Sequence, residues 1–371
     1  MLFQLYFYIR YLLAPLRWIR RKKKGLIAKH IQQSPVSVII AARNEEYNLK
    51  YYLHKILQQD YPEYEVIVVD DGSDDQTTDI LNQMQRDYPH LRHTFVPHNT
   101  RLVSTKKLAL TLGAKAAQYD YLVLTDADCV PSSDHWLQEI MSAFTGNTEV
   151  VLAYGAYFKQ PQTINSLIQY DTLFNSLQYL GMAINKKPYM GVGRNLAYTK
   201  QLFFSSGGFS HIAFNRAGDD DLFVNHVATG NNTNVIITPQ SITFSPPKTS
   251  LKQWLHQKRR HLSVAPKYKA STKFILTLEP LSRFIFILEI VALLVAAYYY
   301  SLWYLYVVAA GCFALKYLLQ IFTLNLSAHK LGLPCINCLL IPVYDLFLPL
   351  NNMILMLINS FKKTNIIKQQ W

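Results

Sequence analysis

Two carboxylates stand one residue apart at the end of an apolar run, "YLVLTDADCVP", residues 121–131. In extended chain, residues i and i+2 point to the same side, so Asp126 and Asp128 face one ligand together. Two such groups without a cation repel and raise each other's pKa. A divalent ion removes that conflict. Carboxylate oxygens suit the hard ions Mg2+ and Mn2+, which keep open positions for phosphate oxygens. The pair therefore reads as a metal site that offers a cation to a diphosphate. A second chemistry also suits it, that of a metal-dependent phosphohydrolase in which Asp126 is a DxD nucleophile. However, "DADCV" lacks the Gly and Thr expected after such a nucleophile.

Other charged residues end neighbouring apolar runs. One run closes in "AARNEE" with Arg43, Glu45 and Glu46, another in "VVDDGSDDQT" with Asp70 and Asp71. The runs themselves, Val36–Ala42, Tyr64–Asp70 and 121–127, are continuous apolar stretches, as expected of strands covered on both faces, and 91–97 is a fourth strand. Helical patterns at 45–58, 74–87 and 104–118 separate them. Alternation of this kind predicts an α/β fold with a mostly parallel sheet and right-handed crossovers. Ligands bind beyond the carboxyl ends of such strands, where the acids gather. Single acids there serve as helix caps, as Ser73 or Asp74 would; three acidic strand ends along one edge point to a site. Neither GxxxxGK[ST] nor GxGxxG occurs, which excludes the ordinary P-loop and dinucleotide fingerprints.

The termini have a different composition. Apolar runs at 284–300 and 302–322 are long enough to cross a membrane, and the aromatic cluster "YYYSLWYLY" between them suits a boundary hairpin rather than a buried soluble one. Residues 335–361 are apolar but carry Pro342, Asp345, Pro349, Asn351 and Asn352, so a broken or re-entrant segment is expected. Lys362, Lys363 and Lys368 favour a cytosolic C-terminus. At the N-terminus Arg10, Arg17 and Lys24 recur every seven residues, which predicts an in-plane anchor or a short span with its basic cluster at the cytosol. The basic cluster follows the apolar run, so it is not a secretory signal. Lys+Arg outnumber Asp+Glu 37 to 24, a net +13. That balance suits anionic substrates and membrane lipids; clusters beside apolar segments argue against a nucleic-acid partner. Cys335-x-x-Cys338 has no second pair or His pair, so it reads as packing, and four cysteines in all give no disulfide framework.

Five stretches, "PVSVIIAARNEE", "VVDDGSDD", "TDAD", "GDDDLF" and "QKRRH", resemble in order and spacing a family 2 glycosyltransferase of the membrane-attached, cellulose-synthase-like kind, over residues 35–261. The resemblance implies a GT-A fold, a nucleotide-diphosphate sugar donor (uridine by default) and inversion at the anomeric carbon. It also implies an Mg2+ or Mn2+ cofactor at Asp126 and Asp128. Carried over by position, Arg43, Glu46, Asp70 and Asp71 hold the nucleotide, with Asp71 the direct contact. Lys106 in "STKKLAL" joins the nucleotide and diphosphate site, with Asp126. "GVGRNLAYTK" supplies acceptor-side Arg194 and Asn195. "AGDDDLFVNHV" supplies the catalytic base, Asp220, supported by Asp219. Gln257 and Arg260 match the interfacial Gln-x-x-Arg-Trp element on the donor side. His261 replaces its tryptophan on the acceptor side, which puts a processive stacking site in doubt.

The expected organisation is an N-terminal membrane helix at 1–24, a GT-A domain at 25–245, an interfacial amphipathic region at 246–280 and a membrane region at 281–371. The expected setting is a bacterial inner membrane, with the catalytic domain facing the cytoplasm and a lipid-linked or glycan acceptor. So few spans favour few additions over long-polymer export.

Overall fold

The structure, a computed structural model, describes residues 1–27, 33–97, 105–213, 215 and 217–368, with side chains to Ser360. Ser104, the expected start of the third helix, lies outside them. The chain divides into two compact units. The first comprises Met1–Leu16, Lys159–Gly181 and the chain from Lys248 on; the second comprises Arg17–Phe158 and Met182–Pro247. Residues 159–181, expected within the central domain, group with the terminal segments.

The second unit is built on strands β1 (Val36–Ala42), β2 (Tyr64–Asp70), β3 (Leu91–Phe95), β4 (Tyr121–Asp126), β5 (Val130–Pro131), β6 (Val150–Leu152), β7 (Gly155–Tyr157), β8 (Leu196–Thr199), β9 (Thr233–Val235) and β10 (Thr243–Ser245). Seven form one sheet in the order β3-β2-β1-β4-β8-β6-β9, and β5-β10-β7 form a second. β3, β2, β1 and β4 are parallel neighbours, while β8 runs antiparallel to β4 and β6. Register fixes where the chemistry falls. Ala42 pairs with Asp70 and Ala41 with Asp126, so the acidic strand ends lie side by side. Because β8 is antiparallel and its Leu196 pairs with Leu124, residues just before Leu196 meet the same edge.

The α-helices among the described residues are α1 (Leu2–Phe7), α2 (Ala14–Lys23), α3 (Glu46–Leu57), α4 (Thr77–Asp87), α5 (Thr105–Ala116), α6 (Trp136–Met141), α7 (Thr163–Ile184), α8 (Lys200–Ser205), α9 (Asp221–Val227), α10 (Leu251–Leu262), α11 (Ala270–Tyr299), α12 (Trp303–Lys330) and α13 (Ile341–Lys368). On the sheet, Val38, Ile40, Val66, Val68 and Val123 are all fully buried against α3 and α6 residues such as Leu49, Leu53 and Trp136. α5 covers the other face closely: a Cβ on Gly113 would stand 2.6 Å from Ile39 Cγ2. Only a residue without a side chain allows that approach.

The first unit contains α11, α12 and residues 341–360 of α13, three stretches long and apolar enough to cross a membrane. Their apolar surfaces surround a buried ionic hub. Asp345, fully buried, takes Arg283 Nη1 at 2.8 Å and Lys316 Nζ at 2.5 Å; Arg283 Nη2 also pairs with Glu279 at 2.6 Å. Gln320 Nε2 donates to Asp345 at 2.9 Å and to Tyr170 of α7 at 2.8 Å. Two acids and two bases cancel, as charges buried in apolar surroundings must.

The hub also explains a departure from expectation. α13 runs unbroken through Pro349, so of the broken or re-entrant course expected there the break does not occur. Proline cannot donate to the carbonyl four residues back, and that carbonyl, on Asp345, accepts from Arg283 Nη1 instead at 3.3 Å. The N-terminus packs into the same unit. A π turn at Tyr8–Leu12 joins α1 to α2, and Phe7, Tyr8, Tyr11 and Leu12 are buried, with Gln4 donating to the Glu279 carbonyl at 3.2 Å and to Ser282.

Candidate active site

The loops after β1 and β2 are stitched to each other. Asn44 N–H donates to Ser73 Oγ at 2.9 Å, Asp74 N–H to Asn44 Oδ1 at 2.8 Å and Glu46 N–H to Asp75 at 3.1 Å. Glu46 returns a contact, accepting from Gln76 N–H at 3.0 Å, so one of its oxygens belongs to the loop. Asp70 is used the same way: it accepts from Ser73 N–H (2.9 Å), Ser73 Oγ (2.7 Å) and Thr78 Oγ1 (2.8 Å). Asp71 differs. Its Oδ2 accepts from Thr105 Oγ1 at 2.6 Å, while its Oδ1 is buried without a partner among the described residues. A buried acceptor left open calls for a donor from elsewhere. Burial raises the Asp71 carboxyl above its ordinary range, opposed by Thr105 and by the exposed Arg43 guanidinium.

β4 delivers the metal candidates. Donor atoms of Asp126, Asp128 and Cys129 lie within 4.8 Å of one another. Burial, then Asp126, raises Asp128, and Arg194 opposes them. Burial, then the two carboxylates, holds the Cys129 thiol well above its ordinary range, and it points at Asp128 Oδ1 from 3.6 Å. Two hard oxygens in mutual repulsion, beside a thiol that keeps its proton, fit Mg2+ or Mn2+. Glu45 sits within their field, raised first by burial and further by Asp128.

Lys106, in the first turn of α5, links this strand end to another loop. Its Nζ lies 2.8 Å from Asp126 Oδ1 and 3.2 Å from Asp219 Oδ2. Desolvation alone would lower it; Asp126 and Asp219 outweigh that and hold the ammonium well above its usual range. Burial likewise works against Asp219, but Lys106 keeps it below the ordinary carboxylate range. Asp220, next along, is raised by burial and by Asp219. It caps α9 through Asp221 N–H at 2.8 Å and accepts from Gly193 N–H at 2.8 Å. Gly218 has φ +95, and a Cβ there would meet Leu222 Cδ1 at 2.6 Å, so glycine is what lets the chain turn into these acids.

The adjacent Lys107 escaped the sequence reading. It is 4% exposed, and its Nζ donates to the carbonyls of Ile212 and Ala217 at 3.0 Å and to that of Asn215. It therefore pins the segment leading into Asp219. The doubled lysine of "STKK" was the only signal: one lysine for the acids, the next for the backbone. Thr105 was missed too, because a threonine at a helix start reads as a cap.

The acceptor-side pair is held by the frame around it. Asn195 is fully buried and spent on the frame: Nδ2 donates to Tyr154 and Ser241 carbonyls at 2.8 and 2.7 Å, and Oδ1 accepts from Trp136 Nε1 at 3.1 Å. Both amide hydrogens are spent and the side chain is shielded from solvent, so Asn195 serves the frame. Arg194 Nη1 donates to the Ala156 carbonyl at 3.0 Å and Ser245 Oγ at 3.1 Å, and its guanidinium lies 4.1 Å from the Tyr157 ring centroid. Arg194 is thus a brace beside Asp128. Gln257, Arg260 and His261 lie on α10, in the other unit.

The family model described as "Glycosyl transferase family 2" matches residues 37–210, the segment that carries β1 through β8 and the DxD pair. The chain carries a family 2 glycosyl transferase domain. The chain is 29% identical over 131 residues to the poly-beta-1,6-N-acetyl-D-glucosamine synthase of Staphylococcus epidermidis, covering 33% of this chain and 31% of that one. It is 29% identical over 170 residues to Glycosyltransferase AglE of Haloferax volcanii, covering 45% and 51%. The chain thus spans between about a third and about a half of the length of these relatives. Its fold resembles that of the mannosyltransferase PcManGT of Pyrobaculum calidifontis, solved in complex with GDP-Man and Mn2+. The TM-score is 0.53 at 19% identity, over 96% of this chain and 95% of that one. The architecture is GT-A, with apolar helices at its C-terminal end.

Proposed function

We propose that this chain transfers a sugar from a nucleoside diphosphate donor, UDP- or GDP-linked, to a membrane-associated lipid or glycan acceptor, inverting the anomeric carbon. One observation carries the reading. The Lys106 ammonium joins Asp126 of the DxD pair to the Asp219–Asp220 turn, so metal ligands and base candidates share one site.

A divalent cation held by Asp126 and Asp128 supplies neutralising charge for the leaving diphosphate. Asp71 takes a nucleoside N–H or hydroxyl on its open oxygen, while Asp70 and Glu46 hold the loops and Arg43 adds charge at the nucleotide. Lys106 is the cation beside the diphosphate, where negative charge develops in the transition state; Gln257 and Arg260 keep the donor-side role their motif implies. Asp220 takes the proton of the acceptor hydroxyl. Its elevated pKa makes it the stronger base of the pair, and Asp219 keeps Lys106 in place. His261 stands where the family has its acceptor-side tryptophan. The setting proposed is a bacterial inner membrane with the active site facing the cytoplasm.

The test is Asp220→Asn. A positioned base contributes about 10²–10⁴-fold. Turnover should fall by that much while Mn2+-dependent binding of the nucleoside diphosphate is unchanged. Equal loss of both would remove Asp220 from the base role.

A further inference from the structure

Helix α10 carries consecutive polar residues from 257 to 261, and they do not share a face. At 3.6 residues per turn, positions 257, 260 and 261 fall within about 100° of one another, and 258 and 259 point elsewhere. The contacts of the latter two are specific. Lys258 Nζ meets both oxygens of Asp171 in α7, at 2.7 and 2.6 Å, and each side chain is only 12% exposed. Asn175 Nδ2 steadies the same carboxylate at 2.8 Å. Arg259 Nε donates to Asn359 Oδ1 of α13 at 2.7 Å, and Asn359 Nδ2 donates back to the Arg259 carbonyl at 3.1 Å. Arg260 is exposed, and its side chain has no ion pair or hydrogen bond among the described residues.

We propose that Lys258 and Arg259 are positioning residues that clamp α10 to α7 and α13, fixing the face that bears Gln257, Arg260 and His261. The proposal rests on the reading of Arg260 as a donor-side cation. Of the three consecutive cations, two hold the helix and one stays available to a diphosphate. The two intervening positions of the Gln-x-x-Arg pattern are then its anchors. Their partners come from elements distant in sequence, which the pattern alone does not reveal. A two-oxygen ion pair resists rotation of the helix, and the reciprocal pair with Asn359 resists sliding along its axis.

The experiment is a double-mutant cycle on the full chain in detergent, reading nucleoside diphosphate release with Mn2+. Arg260→Ala should lower kcat. Lys258→Ala should lower it roughly 10–100-fold, the scale of a small misplacement of a reacting group, with nucleoside diphosphate binding by the Mn2+-loaded protein little changed. The double variant should be no worse than the weaker single one, because residues that act through one another are not additive. Lys258→Arg, which keeps the charge pair, should restore most of the rate. Should Lys258→Ala fail to fold, Asp171→Asn and Asn359→Ala enter the same cycle. Additive losses, or no loss in the anchor variants, overturn the clamp while leaving the role of Arg260 standing. Wild-type activity in Arg260→Ala removes that role and this proposal with it.

Discussion

Asp220 is held above the ordinary carboxylate range by burial first and by Asp219 second. As the proposed general base Asp220 works only deprotonated, so activity should be lost as pH falls through that raised value, with the acid limb of kcat above the ordinary Asp range. Asp219→Asn removes the like charge, so the limb should move to lower pH in whatever activity remains. A pH–rate profile of the two proteins checks this; a limb that stays put would mean Asp219 does not act on the base. At this scale the sequence was informative where residue type carries the chemistry. Paired aspartates at a strand end suggested a shared cation, whereas the spacing of Lys106 alone did not tell a site lysine from a surface one. Asn195 shows where type is silent: an amide in a glycine-rich loop looks the same whether it binds a sugar or, as here, Trp136 and two carbonyls.

The buried parallel strands were legible because continuous apolar runs of six or seven residues have few other uses in a βα alternation. Strands β5 to β10, of two to four residues each, are too short to show a period. α13 was harder, since its continuity depends on Arg283, far away in the chain. Its course can be tested. Asp345 lies beside Lys316, about 20 Å back from the end of α12 at 1.5 Å per residue. The intervening chain folds back along α12, with Asn325 bonding Ile336 at both N–H (2.7 Å) and carbonyl (3.1 Å). At its other end α13 meets α10 through Asn359. A helix so placed is expected to return rather than cross. Cysteines placed at Ser360 and at Lys252 in a cysteine-free background should therefore react with an impermeant thiol reagent from the same side of the membrane. Labelling from opposite sides would make α13 a full span.

At the scale of the molecule, a net +13 chain combines a family 2 domain with an apolar unit that buries four charges. The positive balance and the apolar ends were evident from composition. The discontinuous make-up of the units was not, because nothing local marks residues 159–181 as belonging with the terminal helices. The ionic hub should dominate the stability of the apolar unit. Asp345→Ala strands Lys316 and weakens the hold on Arg283, and breaking a buried pair costs about 3–5 kcal/mol. The variant should aggregate or melt at markedly lower temperature in detergent, and replacing Lys316 by Met as well should recover much of the loss. An unchanged melting temperature would mean that water already reaches the hub.

The central claim is that Asp126 and Asp128 serve a metal-dependent sugar transfer. The most direct measurement follows nucleoside diphosphate release from UDP- and GDP-sugars by the purified full chain. It is run with Mn2+, with EDTA, and with Asp128→Asn. Release from one donor, abolished by EDTA and by the substitution, is the predicted result. Release that survives both, or no release from any donor alongside metal-dependent cleavage of simple phosphate esters, would contradict the account.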